Sequence, residues 1–199
     1  MKKIVLLASS LFILSSVGSI YAEETTTSEM KQESVADKDP FDMASYKTVF
    51  ETDMYKVGSD IPAGEYKVYS LDEYASFKLT GDARGEEYIA YDMVKTFAYV
   101  KVEDGQYLEL SDCFAVPVEE TWPVKIENDT IGEGVYRVGV DIEPGEYKAK
   151  AKDEFARYRI AKDANAIDVV DSNSIKKSSY VDVKEGEYLK LEGAELSLK

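Results

Sequence analysis

Apolar and polar residues alternate at every second position over several short stretches of this chain, as in strands that bury one face. Glu146-Tyr147-Lys148-Ala149-Lys150-Ala151-Lys152 and Arg157-Tyr158-Arg159-Ile160 follow the alternation closely, and Tyr99–Val102 and Glu187–Leu191 follow it more loosely. Pro62-Ala63-Gly64, Pro144-Gly145, Asp104-Gly105 and Glu185-Gly186 separate such runs. Proline presets φ for a turn corner and glycine accepts a positive φ, so these are turn signals. No stretch shows a helical stripe, and residues 83–96 hold the weakest pattern of all.

The pattern occurs twice. Tyr55–Lys67 returns as Tyr136–Lys148, and Tyr99–Leu110 returns as Tyr180–Leu191, at a constant shift of 81 positions. Between Tyr55 and Leu110, 22 of 56 paired positions are identical without a gap, which identifies a duplicated module. Strand and turn spacing gives roughly six to eight short strands per copy. The fold class expected is therefore all-β, with two tandem homologous small antiparallel β-sandwich or jelly-roll-like modules. Ser45–Glu51, with alternating Tyr46, Thr48 and Phe50, reads as a first strand. The boundaries expected are module 1 over 45–118, a connector over 119–123 and module 2 over 124–199. About 75 residues is little for an autonomous core, which favours modules packed on each other over separate beads.

Ahead of the modules, Lys2 and Lys3 precede the apolar stretch Ile4–Leu14, and a small residue, Ala22, offers a cleavage point. Residues 1–22 therefore read as an export signal. Residues 23–44 are polar and read as a disordered spacer. No cysteine follows the apolar run and no apolar or sorting tail ends the chain, so the expected mature protein is released, or held at the surface by what it binds.

The formal charge is −15, and it becomes −17 once Lys2 and Lys3 are gone. Such a balance argues against nucleic acid and anionic lipid as partners. Histidine is absent, which removes Ser-His-Asp and Cys-His catalysis and the usual imidazole ligands of zinc. Cys113 is the single cysteine; its counterpart is Ala194, so it reads as a small buried position. No catalytic residue, metal site or cofactor is expected.

The retained positions are first of all structural. Gly58, Gly64, Gly139 and Gly145 read as turn requirements. Asp60 and Asp141 read as turn caps, with a calcium ligand as the alternative and Glu65/Glu146 or Asp72/Asp153 as its partners. Tyr66 and Tyr147, with Tyr55/Tyr136, Tyr99/Tyr180 and Tyr107/Tyr188, read as core, with a sugar-stacking platform as the alternative. Asp72-Glu73 and Asp153-Glu154 are the candidate carboxylate pairs for glycan hydrolysis, although each falls where a turn is expected.

The motif Tyr-x-Val-Gly-x-Asp-Ile-x-x-Gly-Glu-Tyr, completed by Tyr-Val-x-Val-x-x-Gly-x-Tyr-Leu-x-Leu, resembles a β-rich module of secreted proteins and lipoproteins of Gram-positive bacteria. The resemblance covers Tyr55–Leu110 and Tyr136–Leu191. It implies an extracytoplasmic β module and supplies no catalytic residues. This chain lacks the lipoproteins' lipidated cysteine.

With Tyr66, Val68, Phe77 and Leu79 inward, the outward set of module 1 is Lys67, Tyr69, Leu71, Ser76 and Lys78. The matching set of module 2 is Lys148, Lys150, Lys152, Arg157 and Arg159, a cationic stripe. Residues 55–118 hold 6 basic and 12 acidic side chains and residues 136–199 hold 12 and 13, so the copies differ in charge. The candidate ligand-binding residues are therefore the five cations together with Tyr69 and Leu71. The function expected is a non-catalytic secreted or surface-associated binding or adhesion-type protein. Its partner would be an anionic wall polymer, a glycan, another surface protein, or the acidic first module of a neighbouring molecule. A passive spacer or assembly element is the alternative, and a carboxylate-dependent glycan-acting enzyme the more remote one.

Overall fold

A computed structural model describes residues 39–124, 126 and 128–199. The export segment and the spacer as far as residue 38 lie outside the described residues. The fold is all-β. The first half supplies β1 (Met54–Lys56), β2 (Gly64–Ser70), β3 (Ser76–Thr80), β4 (Tyr88–Met93), β5 (Phe97–Val102), β6 (Tyr107–Ser111) and β7 (Cys113–Pro117). The second supplies β8 (Thr130–Ile131), β9 (Gly134–Arg137), β10 (Gly145–Ala151), β11 (Arg157–Ala161), β12 (Val169–Ser174), β13 (Ser178–Val183), β14 (Tyr188–Glu192) and β15 (Ala194–Ser197).

Each half is a two-sheet antiparallel sandwich. Module 1 pairs β1-β6-β3-β4 and β5-β2-β7; module 2 pairs β9-β14-β11-β12 and β13-β10-β15-β8. The 81-residue shift holds down to irregularities. The ladder slips between Leu79 and Thr80 and again between Ile160 and Ala161. Val57 bridges Ile61 as Val138 bridges Ile142. The counterpart of β8 shrinks to a single bridge, Phe50 with Ala115. The strand expected over Ser45–Glu51 is therefore mostly absent, and Met43–Ser45 form a 3-10 turn capped by Asp42. The stretch just before it, expected as spacer, is structured from residue 39. Phe41 stands edge-on to Tyr69, and Tyr46 packs on Tyr69 and Phe114, so these two aromatic side chains cover a sheet face that would otherwise be wet.

Alternation places Tyr66, Val68, Phe77 and Leu79 inward in module 1, all buried. Lys67 and Tyr69, expected on the outward face, are buried too, each 1% exposed. The reason is that β2 is covered on both sides, by its own sandwich and by module 2 together with Phe41 and Tyr46. Its counterpart β10 has only one covered face, and Lys148 and Lys150 are exposed. The packed modules share apolar groups. Val135, Ala164 and Tyr188 of module 2 join the core of module 1, while Tyr69, Phe97 and Phe114 of module 1 join that of module 2. Cys113 is fully buried and its thiol donates to the Ser76 carbonyl at 3.2 Å, and Ala194 is buried at the equivalent place.

Candidate functional site

The junction grows out of a turn that both copies build alike. Gly58 and Gly139 adopt φ of 90° and 88°, where a side chain would be strained. Two residues on, Asp60 accepts the Lys56 N–H at 2.9 Å and Asp141 accepts the Arg137 N–H at 2.8 Å. There the likeness ends. Asp60 is exposed, whereas Asp141 is buried and accepts two further bonds from module 1. These come from the Lys67 ammonium at 3.0 Å and the Tyr99 hydroxyl at 2.7 Å. Lys67 Nζ also lies 4.5 Å from the Phe97 ring centre and 5.0 Å from that of Tyr99. Burial pushes the Lys67 pKa down while Asp141 opposes it, and burial with the Asp141 charge pushes Tyr99 far up.

Polar contacts surround this centre. The Tyr188 hydroxyl donates to Glu65 at 2.8 Å, and Arg137 stands 3.6 Å from the same carboxylate. The Asn165 side chain accepts from the Lys101 N–H and donates to its carbonyl, both at 2.8 Å, as a neighbouring strand would. Lys190 of β14 meets Asp92 of β4. Gly134 lets the backbone approach closely: a Cβ there would come within 2.8 Å of Thr96 Oγ1 and 3.1 Å of the Phe97 ring. Its counterpart is the exposed Asp53.

Beside the Lys67–Asp141 pair opens a cavity of about 350 Å³, lined among others by Phe41, Lys67, Tyr69, Phe97, Trp122 and Tyr136. Phe97 and Tyr136 meet edge to face at 5.1 Å, and Trp122 stacks on Tyr46 at 4.6 Å. The buried Tyr69 hydroxyl makes no hydrogen bond of normal geometry, with the Tyr46 hydroxyl as its polar neighbour. Five aromatic rings line the cavity together with Lys67 and Glu133, which bring opposite charges to the wall.

The five cations do not form one stripe. Lys148 and Lys150 project from β10 on the outer face of one sheet, whereas Arg157 and Arg159 lie on β11 in the opposite sheet, whose outer face turns towards module 1. Sandwich geometry forces the split, because outward residues of facing sheets point in opposite directions. Lys152 pairs with Glu195 at 3.0 Å and Arg157 pairs with Glu192, while Arg159 is half-buried near Asp92. Burial alone would raise the Glu192 carboxyl, but Arg157 and Lys190 hold it below its usual value. Lys148 and Lys150 make no ion pair among the described residues. Of the two apolar candidates, Tyr69 lines the cavity and Leu71 is 53% exposed in the turn after β2.

The retained tyrosines are not uniformly core. Tyr66 is buried and Tyr147 half-buried, although each hydroxyl donates to a carbonyl four residues earlier, Pro62 and Glu143. Tyr99 is 3% exposed at the junction and its counterpart Tyr180 is 66% exposed. Asp72 and Asp153 each accept a backbone N–H two residues on, from Tyr74 and Phe155. Among the described residues no three carboxylates gather at metal-ligand spacing around Asp60 or Asp141.

The cavity was not found by reasoning from alternation alone, yet a signal for it exists. Tyr69, Phe97, Phe114 and Val116 occupy outward positions of β2, β5 and β7, where module 2 has Lys150, Ser178, Glu195 and Ser197. Apolar residues at outward positions in one copy only mark a face that is covered in that copy only.

Residues 128–189 match the family model of an Rv1352-like extracellular domain, a span that runs from just before β8 to the start of β14. Comparison with curated proteins returns no match. Among the described residues no helix is long and apolar enough to cross a membrane. This chain is similar to an extracellular domain over most of its second module, and it is an extracellular protein built from two copies of one β-sandwich.

Proposed function

We propose that the protein is a non-catalytic binding protein of the cell exterior whose ligand site is the aromatic cavity at the module junction. The observation that carries this reading is the cavity itself: about 350 Å³, walled by five aromatic rings, with the buried Lys67 ammonium and the Glu133 carboxylate beside them. That volume falls among ordinary small-ligand pockets, which are mostly apolar with a few placed polar groups. An ammonium has three donors, and Lys67 uses one on Asp141. The ligand class that fits is a small molecule with a flat apolar body and one anionic or strongly accepting group. The candidate carboxylates Asp72 and Asp153 are engaged in their own turns, which favours binding over glycan hydrolysis. Lys148 and Lys150, exposed on β10, offer loose attachment to an anionic wall polymer or glycan.

Trp122 is the single tryptophan and lines the cavity, so its fluorescence reports occupancy directly. Titration with an anilinonaphthalene sulfonate, an aromatic body bearing one anionic group, should give saturable one-site quenching. Phe41→Ala removes a rim ring that is 41% exposed, and should weaken binding about fivefold, near 1 kcal/mol, with only a small drop in the melt because the ring also covers Tyr69. Non-saturable quenching, or equal binding by Phe41→Ala, would leave the spacer reading standing instead.

A further inference from the structure

The junction joins two different surfaces of one repeated module, and each module therefore has one of the two left over. Module 1 uses the outer face of β5-β2 and is met by the turn and the outer face of β9-β14 of module 2. Module 2 retains the first surface, on β13-β10, and module 1 retains the second, around the Asp60 turn and β1-β6. We infer that these leftover surfaces bind each other between molecules, so that a second copy of this chain docks head to tail on the first.

The inference rests on what stands at each equivalent position. Within the chain, Lys67 and Tyr99 meet Asp141; between chains, Lys148 and Tyr180 meet Asp60. Glu65 with Arg137 and Tyr188 becomes Glu146 with Lys56 and Tyr107. Asn165 against Lys101 becomes Arg84 against Asp182, a pair of opposite charges in place of an amide on a backbone. Gly134 close to Thr96 and Phe97 becomes Asp53 against Lys177 and Ser178, which brings opposite charges together but adds a side chain where the internal contact has none. None of these pairs sets like charges together. Lys56, Asp60, Arg84, Glu146, Lys148, Tyr180 and Asp182 are all exposed in the chain. Tyr180 at 66% exposure is otherwise a large aromatic left in water.

Several changes weaken the contact relative to the internal one: the Lys190–Asp92 ion pair becomes Glu109 with Asn173, and Asp53 holds the backbones further apart than Gly134 does. The edge-to-face pair of Phe97 and Tyr136 is replaced by Ser178 and Tyr55, and the covering aromatics have no counterpart on β10. The contact between molecules is thus mostly polar, weak and sensitive to salt. Because its two halves differ, it is heterologous, and it lengthens into open chains instead of closing as a two-fold dimer.

Sedimentation of the exported chain tests this. In low salt, near 20 mM, the mass should rise with concentration up to about 1 mM and pass beyond a dimer, and it should fall back at 0.3 M salt as the screening length shrinks below about 8 Å. Glu146→Lys and Lys56→Glu each set like charges opposite each other, and each variant alone should stay monomeric. Mixed in equal amounts they should associate again, because every contact between unlike variants restores an opposite pair. Both positions are exposed, and matching thermal melts check that the fold is kept. A wild-type protein monomeric at 1 mM in low salt, variants that associate as the wild type does, or a mixture no heavier than its parts would each overturn the inference.

Discussion

Asp60 and Asp141 are the same residue in the same turn, and replacing each by alanine separates what the turn needs from what the junction needs. Asp60→Ala removes one acceptor from the exposed Lys56 N–H, which water can replace. The loss should be about 1 kcal/mol, the net worth of one ordinary hydrogen bond. Asp141→Ala removes the same bond to Arg137 and two more besides. It strands the Lys67 ammonium, 1% exposed, inside a wall of aromatic rings. Leaving one partner of a buried ion pair without its counter-charge costs about 3–5 kcal/mol. That is a large share of the roughly 5–15 kcal/mol that holds a domain folded.

A second substitution tests the cause. Adding Lys67→Met to Asp141→Ala removes the stranded charge and keeps most of the apolar stem, so the double variant should recover about 2 kcal/mol relative to Asp141→Ala. Urea unfolding followed by Trp122 fluorescence and far-ultraviolet dichroism gives all four free energies. Equal losses for Asp60→Ala and Asp141→Ala would refute the reasoning, since they would mean that the buried pair contributes no more than a turn cap. A double variant no better than Asp141→Ala would show that the damage lies in the turn and not in the stranded cation.

Alkali should unfold the protein. Burial raises the hydroxyl pKa of Tyr46, Tyr66, Tyr69, Tyr99, Tyr136 and Tyr188, with Tyr66 pushed up to about 12. Above pH 10 the unfolded chain ionises while the folded one holds its protons, so each pH unit should remove about 1.4 kcal/mol per deeply buried tyrosine; Lys67, with its lowered value, works the other way, and a urea midpoint that does not fall between pH 9 and 11.5 would contradict the burial. Burial pushes the Cys113 thiol up to about 11, so a thiol reagent at pH 8 should label it only in denaturant, and native labelling would mean that β7 opens. Tyr66→Ala should cost about 3–5 kcal/mol and the half-buried Tyr147→Ala clearly less, a difference that thermal melts resolve and that equal losses would refute.

The strands were legible because a sandwich strand buries one face and its sequence must alternate, and the gapless repeat doubled every such signal. Alternation reports that a face is covered, however, and not by what. In β2 both faces are covered, so Lys67 and Tyr69 obey the alternation and are buried all the same. The cation stripe failed for a related reason. Lys150 and Arg157 are close in sequence, but the chain crosses between sheets in the turn that separates them, and no periodicity reports that crossing. Residues 39–44 read as polar spacer because Phe41 and Met43 are too few to form a pattern, although each, like Tyr46, lies against a sheet face that module 1 leaves apolar.

The differences between the copies then follow from their places in the chain. A duplicated module starts with two identical faces of each kind, and joining the copies buries one of each. Burial rewards apolar side chains on the joined face, and Tyr69, Phe97, Phe114 and Val116 lie there. The equivalent face of module 2 has no module after it, and exposed aromatic groups on a sheet would invite indiscriminate pairing. Lys150, Ser178, Glu195 and Ser197 make that face soluble. Yet Lys148 and Tyr180, opposite each other on β10 and β13, persist there although no carboxylate of the described residues joins them, and so does the exposed Asp60 that would receive them. Solubility alone would accept many residues at Tyr180 more readily than a tyrosine. What remains on the outer face of module 2 is thus the polar centre of the junction without its apolar surround, a combination suited to contacts that form and release.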